Sequence, residues 1–333
     1  MNIPARWRRY AGVTMVELLV AMVIGIFLIA GAVSIFIASK RSYTEVERSG
    51  RMIENARYAQ QALSMDLRHG GFFGEAAPPG IDLDDELDDV EDDCTGRAAA
   101  YDVDNYVFVA RTDGAGSAVG CIDDAVPGSD IVVIKGVRPR PMSDGDRDDP
   151  DDDDGVIDNP EGLDATRPYV LANAISGLLF DGADTVPTMS TGGDVPGGNA
   201  WEYRFMVYYI RAGNVPRLSR KVLGWDGASM RVITEDIVDG VENLRVRVGV
   251  DGDDNGEVDS YLAADDGAID WGRVLSLEVY LLVRSVDADA SYTDGRSYDL
   301  GGEVFAPGGN FHRTVVSFSV SIRNAKLLIR GNI

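Results

Sequence analysis

The chain has 333 residues, 55 of them acidic and 31 basic, for a formal net charge of −24. Such a polyanion is repelled by nucleic acid and by anionic headgroups and attracts divalent cations, so nucleic acid is not an expected partner. Two cysteines and two histidines are too few for a Cys/His zinc centre of the usual spacing.

Residues 1–12 carry Arg6, Arg8 and Arg9 and end in Ala11-Gly12. From Leu18 to Ala38 there is no charged side chain and one polar one, Ser34. At about 1.5 Å per residue that run spans roughly 30 Å as a helix, the thickness of a bilayer core. The basic flank predicts a cytoplasmic leader with the rest of the chain on the far side. An ordinary secretory signal is cleaved after its apolar stretch at small residues; here the stretch runs straight into an amphipathic helix. A plain signal anchor explains the hydropathy but not Glu17. A carboxylate at the edge of the apolar run costs up to ~3 kcal/mol to insert.

Gly12, the hydrophobic Val13 and Glu17, five positions beyond Gly12, resemble the class III signal of type IV prepilins and type II secretion pseudopilins. The resemblance implies cleavage after Gly12 by a prepilin peptidase and N-methylation of the new Val13 amine. It also implies that the apolar helix stays on as membrane anchor and later as filament core. In that family the glutamate pairs with the amino terminus of a neighbouring subunit, so that a carboxylate and an ammonium stranded in an apolar bundle neutralise each other. Major pilins usually carry a proline near the position of Ser34. Its absence here predicts an uninterrupted helix.

The helix is expected to continue to about Arg68, with Val46, Ile53, Ala56, Leu63 and Leu67 at helical spacing and Met52 and Ala59 beside them. The glycines of the block 69–74, H-G-G-F-F-G, then stop it. Residues 71–165 read as an irregular acidic insertion with short strands at 105–110 and 130–137 and both cysteines. The following part, 166–333, reads as an antiparallel sheet domain with strands at 201–211, 217–223, 231–237, 241–250, 274–284 and 312–322. The last two alternate strictly, with Leu275, Leu277, Val279 and Leu281 on one face, and Val316, Phe318, Val320 and Ile322 opposed by serines.

Three stretches resemble the PilW family of minor pilins: ENARYAQQALSMDLRHGGFFG (54–74), WGRVLSLEVYLLVRS (271–285) and FHRTVVSFSVSIRN (311–324). With the anchor they cover a little over a third of the chain. The expected fold is therefore α+β and pilin-like: a leader (1–12), a membrane or filament-core helix (13–38), its amphipathic continuation (39–70), the insertion, and the sheet domain. The implied function is a minor pilin that primes or caps a type IV pilus. Its partners would be the prepilin peptidase, other minor and major pilins, an inner-membrane assembly platform and a tip adhesin. The implied location is the inner membrane, with the carboxy-terminal part in the periplasm and later in the filament. A type II secretion pseudopilin would carry the same leader. A calcium-dependent adhesive module on a pilin anchor is a rival of another class.

Asp251, Asp253 and Asn255, Gly256 at the sixth position, Glu257 at the seventh and Asp259 at the ninth follow most of an EF-hand calcium loop. The twelfth position is Leu262 rather than glutamate, which would leave Asp265 or Asp266 to complete the shell. The competing reading is a solvated acidic hairpin tip. The run 150–161 has a similar register with Pro150 in place of the first ligand and reads as a self-repelling loop. The run 82–93 reads as acidic linker. Cys94 and Cys121 form a disulfide if the domain lies outside the cytoplasm, or remain two buried thiols. His69 and His312 read as structural. No nucleophile elbow, phosphate loop or metalloprotease helix is present, so no enzyme is expected.

Overall fold

The computed structural model describes residues 12–142 and 163–322. It divides into two units, Met1–Arg51 and Met52–Ile333. Helix α1, Met15–His69, is 55 residues long and unbroken, and it is long and apolar enough to cross a membrane. With no proline to remove a donor, it stays helical through Ser34, whose hydroxyl donates to the Ala30 carbonyl at 2.9 Å.

In the second unit, α1 buries Ala56, Ala59, Leu63 and Leu67. These recur every three or four residues and so form one stripe. Met52 joins that stripe half-buried, whereas Val46 and Ile53, expected on the apolar face, are exposed. The helix ends where predicted. Gly71 has φ +75°, and a Cβ there would meet the Tyr106 ring at 2.6 Å, so only glycine turns the chain this closely.

Strands β1 (Ile81–Leu83), β2 (Val107–Arg111), β3 (Asp130–Val137), β4 (Pro168–Ala172), β5 (Gly177–Asp181), β6 (Asn199–Arg211), β7 (Arg217–Trp225) and β8 (Met230–Asp239) make the first sheet. Its spine is β6, which pairs antiparallel with β4, β3 and β7 along successive stretches. The β1–β5 pair is parallel, which makes the sheet mixed rather than purely antiparallel. The second sheet contains β9 (Val241–Val250), β10 (Ser260–Ala263), β11 (Val274–Arg284) and β14 (Arg313–Ser321) in the order β10-β9-β11-β14, all antiparallel. A hairpin of β12 (Tyr298–Leu300) and β13 (Glu303–Phe305) packs Tyr298 and Leu300 against Leu282.

The stripe of α1 shares one core with Val132, Ile134 and Tyr208 of the first sheet and Leu244, Val246 and Leu277 of the second. On the opposite face of the first sheet a second core joins Ile131, Val133, Phe205 and Val207 to Phe73, Cys94, Ala98 and Ile122. Two-sided burial explains why all eight residues of β3 are buried and why Ile131 to Ile134 are apolar in succession rather than in alternation. It also means that β2 and β3, placed in the insertion by sequence, are part of the main sheet: β3 lies between β2 and β6.

Cys94 and Cys121 are bonded, with Cα atoms 4.6 Å apart and 27 residues of separation. Lys135 of β3 has no exposed surface, and its Nζ donates to the carbonyls of Arg97 at 2.9 Å and Asp102 at 2.6 Å. Burial pushes this ammonium down to about 8, although Asp102, Asp93 and Asp104 pull it back up. An unfolded lysine near 10.5 then holds more protons than the folded one between those two values. Stability from this group is level below pH 8 and rises with pH across that window. Relative to Lys135→Met, the wild type should gain about 2 kcal/mol between pH 8 and pH 10 in denaturant titrations. Parallel curves for the two proteins would show that Lys135 carries no such penalty.

Candidate functional site

Two places hold the residues singled out by sequence. At the start of α1, the Thr14 carbonyl accepts the Leu18 amide at 3.1 Å, which makes Thr14 the cap of the helix. The Glu17 carboxylate accepts from the Thr14 amide at 2.9 Å and from its hydroxyl at 2.8 Å, and the Thr14 hydroxyl accepts from the Glu17 amide at 3.3 Å. This is a capping box. The T-M-V-E spelling of residues 14–17 is the sequence signal for it, one not drawn from the hydropathy and charge of the segment. In a single subunit Glu17 is thus held locally, beside Gly12 and Val13, and its charge lies at the end of the helix where backbone amides favour an anion. The large side chains of this stretch, including Leu18, Ile26 and Phe27, are exposed.

The second place is the loop between β9 and β10, a hairpin in a sheet as expected. Carboxylate oxygens of Asp251, Asp253 and Asp259 lie within 4.8 Å of one another. Backbone amides hold them: Asn255 and Gly256 donate to Asp251 at 3.2 and 2.7 Å, Asn255 to Asp253 at 3.2 Å, and Gly252 to Asp259 at 2.7 Å. Although burial pushes Asp251 up, the amides of Gly256 and Asn255 outweigh it, and its carboxyl stays below the usual range. Gly256, at φ +83°, makes the sharp bend.

The remaining expected ligands are placed otherwise. Asn255 Oδ1 accepts the Glu257 amide at 2.7 Å, and the Glu257 carboxylate is not among the three that converge. Asp265 is bound by Arg111 Nη1 at 3.0 Å and Asp266 caps Ala268, so neither completes a shell as expected. Arg273 donates to the Gly252 carbonyl at 2.9 Å and to Asp254 at 2.7 Å, and this guanidinium offsets part of the loop charge.

The other candidates resolve simply. His69 Nδ1 lies 2.8 Å from the Met65 carbonyl, and His312 stacks on Tyr292 with ring centroids 4.0 Å apart. The run 150–161 lies outside the described residues. The run 82–93 is more than a linker: it begins with β1, packs Leu87 and Val90 on the second core, and forms a bridge from Glu91 to Arg231. Two apolar residues spaced within the acidic run were the available signal.

Comparison with known families gives two matches. The model described as type IV pilus-assembly protein W matches residues 207–324, from within β6 through the second sheet. The prokaryotic N-terminal methylation motif matches residues 7–33. No curated protein and no solved structure matches the chain. Both families are structural pilus components rather than enzymes, and a pilus-assembly family implies contact with other pilins and the assembly machinery. The methylation motif and the apolar part of α1 fit a membrane-anchored pilin. At its amino-terminal anchor and across its carboxy-terminal strands, the chain matches a PilW-like type IV pilin.

Proposed function

We propose that the chain is a minor pilin, a structural and priming subunit of type IV pilus assembly. The carrying observation is that one chain joins a methylation motif at 7–33 to a pilus-assembly match at 207–324. In this reading a prepilin peptidase cuts after Gly12 and Val13 is N-methylated. The carboxy-terminal unit faces the periplasm, and the apolar half of α1 leaves lipid for a bundle of similar polarity. That transfer is nearly neutral in hydrophobic energy, so an inner-membrane platform can drive it. Other minor and major pilins, and a tip adhesin, are the partners this role requires.

Replacing Gly12 by Leu should leave the leader in place, whereas Gly12→Ala should still be cut. Mass spectrometry of wild-type chain from cells with active peptidase should find methylated Val13 at the amino terminus. An intact Met1 there would reject the processing step. Recovery of the chain in sheared surface filaments separates the pilus role from that of a type II secretion pseudopilin.

A second reading adds calcium, favoured by the three converging carboxylates of the β9–β10 loop. Asp251, Asp253 and Asp259 repel one another, and an ion that binds only the folded chain would stabilise it by about 2.7 kcal/mol at a hundred times its dissociation constant. Without a twelfth-position glutamate the site suits the calcium levels outside cells, and magnesium should substitute poorly. Calcium should raise the melting temperature of the full chain in detergent, and the rise should vanish in Asp251→Ala with Asp253→Ala. An equal rise in both proteins would reduce the loop to an acidic turn.

A further inference from the structure

The acidic run after β1 lies on a place as acidic as itself. Register between β1 and β5 sets Leu83 opposite Leu179, and the Asp84 amide donates to the Leu179 carbonyl at 2.9 Å. The chain then passes the end of β5, where Glu86 Oε2 accepts the Thr185 amide at 3.4 Å. Further on, the Glu91 amide donates to the Met230 carbonyl at 2.9 Å, Arg231 pairs with Asp92, and Cys94 is tied by the disulfide. Residues 84–90 are therefore a strap pinned at both ends, with Leu87 and Val90 half-buried over the core that includes Tyr101.

Between the two attachments of the strap to this stretch, at Leu179 and Thr185, β5 ends in Asp181. The residue is 6 % exposed, its Oδ1 is fully buried, and no hydrogen bond reaches that atom. The hydroxyl of Tyr101, from the segment packed beside it, is likewise buried without a partner. The charged groups acting on Asp181 are Asp184, from its own turn, and Asp88, from the strap; among the described residues no cationic side chain acts on it. Asp184 in turn faces Asp84, Glu86 and Asp88. Like charges are thus held together around a buried oxygen that nothing satisfies. A neutral carboxyl removes the repulsion, a charged one does not. A cation is the alternative. However, Asp181, Asp184 and Asp88 do not converge within 4.8 Å as the β9–β10 aspartates do, and the buried oxygen has no open surface to receive an ion.

We propose that the strap 84–90 is a proton-controlled cover, docked when the Asp181 carboxyl is neutral and loosened when it ionises, so that acidity governs exposure of the apolar surface beneath Leu87 and Val90. Burial, then Asp184 and Asp88, push the Asp181 carboxyl up to about 6 from an ordinary 3.8. The docked chain therefore holds more protons than the undocked one between those values. The stabilisation is complete below the lower value and is lost as pH rises through 6. The interval between the two values caps the change in docking equilibrium at roughly a hundredfold.

The test is hydrogen exchange on the full chain in detergent, corrected for intrinsic rates, at pH 4.5 and pH 7.5 with chelator present. Amides of the strap in the wild type should lose about tenfold or more of their protection at the higher pH. Asp181→Asn, neutral at both values, should keep the strap protected throughout, and Asp88→Asn should narrow the difference. The β11 amides serve as a control for global stability. An undiminished pH dependence in Asp181→Asn would overturn the proposal. So would a wild-type strap equally protected at both values, or one restored at pH 7.5 by calcium or magnesium alone.

Discussion

Glu17→Ala should leave membrane insertion unchanged and cut incorporation into filaments by at least tenfold. In the single chain the carboxylate serves the capping box with Thr14, and losing that weakens only an exposed first turn of the helix. That is small against the loss of a charge pair in an apolar bundle, where removing one partner leaves the other uncompensated. Glu17→Gln separates the two roles. Glutamine still closes a capping box, so the helix start should survive, yet the neighbour's ammonium would remain unpaired. The check is the ratio of pilus-borne to membrane-borne subunit for both variants. Normal incorporation of the glutamine variant would show that the charge has no docking role.

Asp66→Ala should destabilise the second unit by about 2–4 kcal/mol. Asp66 lies in α1 at 4 % exposure and accepts the Tyr208 hydroxyl at 2.6 Å, with Arg204 and Arg220 each at 3.4 Å. Alanine would leave a buried phenol without an acceptor and two guanidinium groups without their shared carboxylate. The arginines are partly exposed, and Arg220 keeps Glu235 at 2.8 Å, so water and Glu235 recover part of the loss. Asp66→Asn, which still offers an oxygen to Tyr208, should cost about half as much. Denaturant unfolding of the full chain in detergent measures both; a change under about 0.5 kcal/mol for alanine would mean that the helix is seated by packing alone.

The sequence made the helix and most long strands legible because their signals are local. Periodicity of 3.6 marks the Ala56–Leu67 stripe, glycines mark its end, and strict alternation marks β11 and β14. The short strands β1, β4 and β5 were not legible. They are three to five residues long, and only pairing in three dimensions distinguishes them from loops. The buried charges were hidden for the same reason. Asp130 has no exposed surface, yet accepts from Arg111 at 2.9 Å and from the Val246 amide at 2.9 Å, tying the first sheet to the second across more than a hundred residues. In a chain with 55 acidic residues, nothing local separates such an aspartate from the solvated ones. At the candidate sites the spacing of the β9–β10 ligands was visible. The competing engagements of Asp265 with Arg111 and of Arg273 with the loop were not.

The seating of α1 also decides how the second unit bears load. Tension on the part of α1 that lies in this unit meets resistance from Ala56, Ala59, Leu63, Leu67 and the Asp66–Tyr208 bond together. Those contacts lie side by side along the helix, so tension must shear them in parallel instead of peeling them one after another. The disulfide-tied segment around Cys94 and Cys121 belongs to the other core, on the far face of the first sheet, and takes no direct part in that grip.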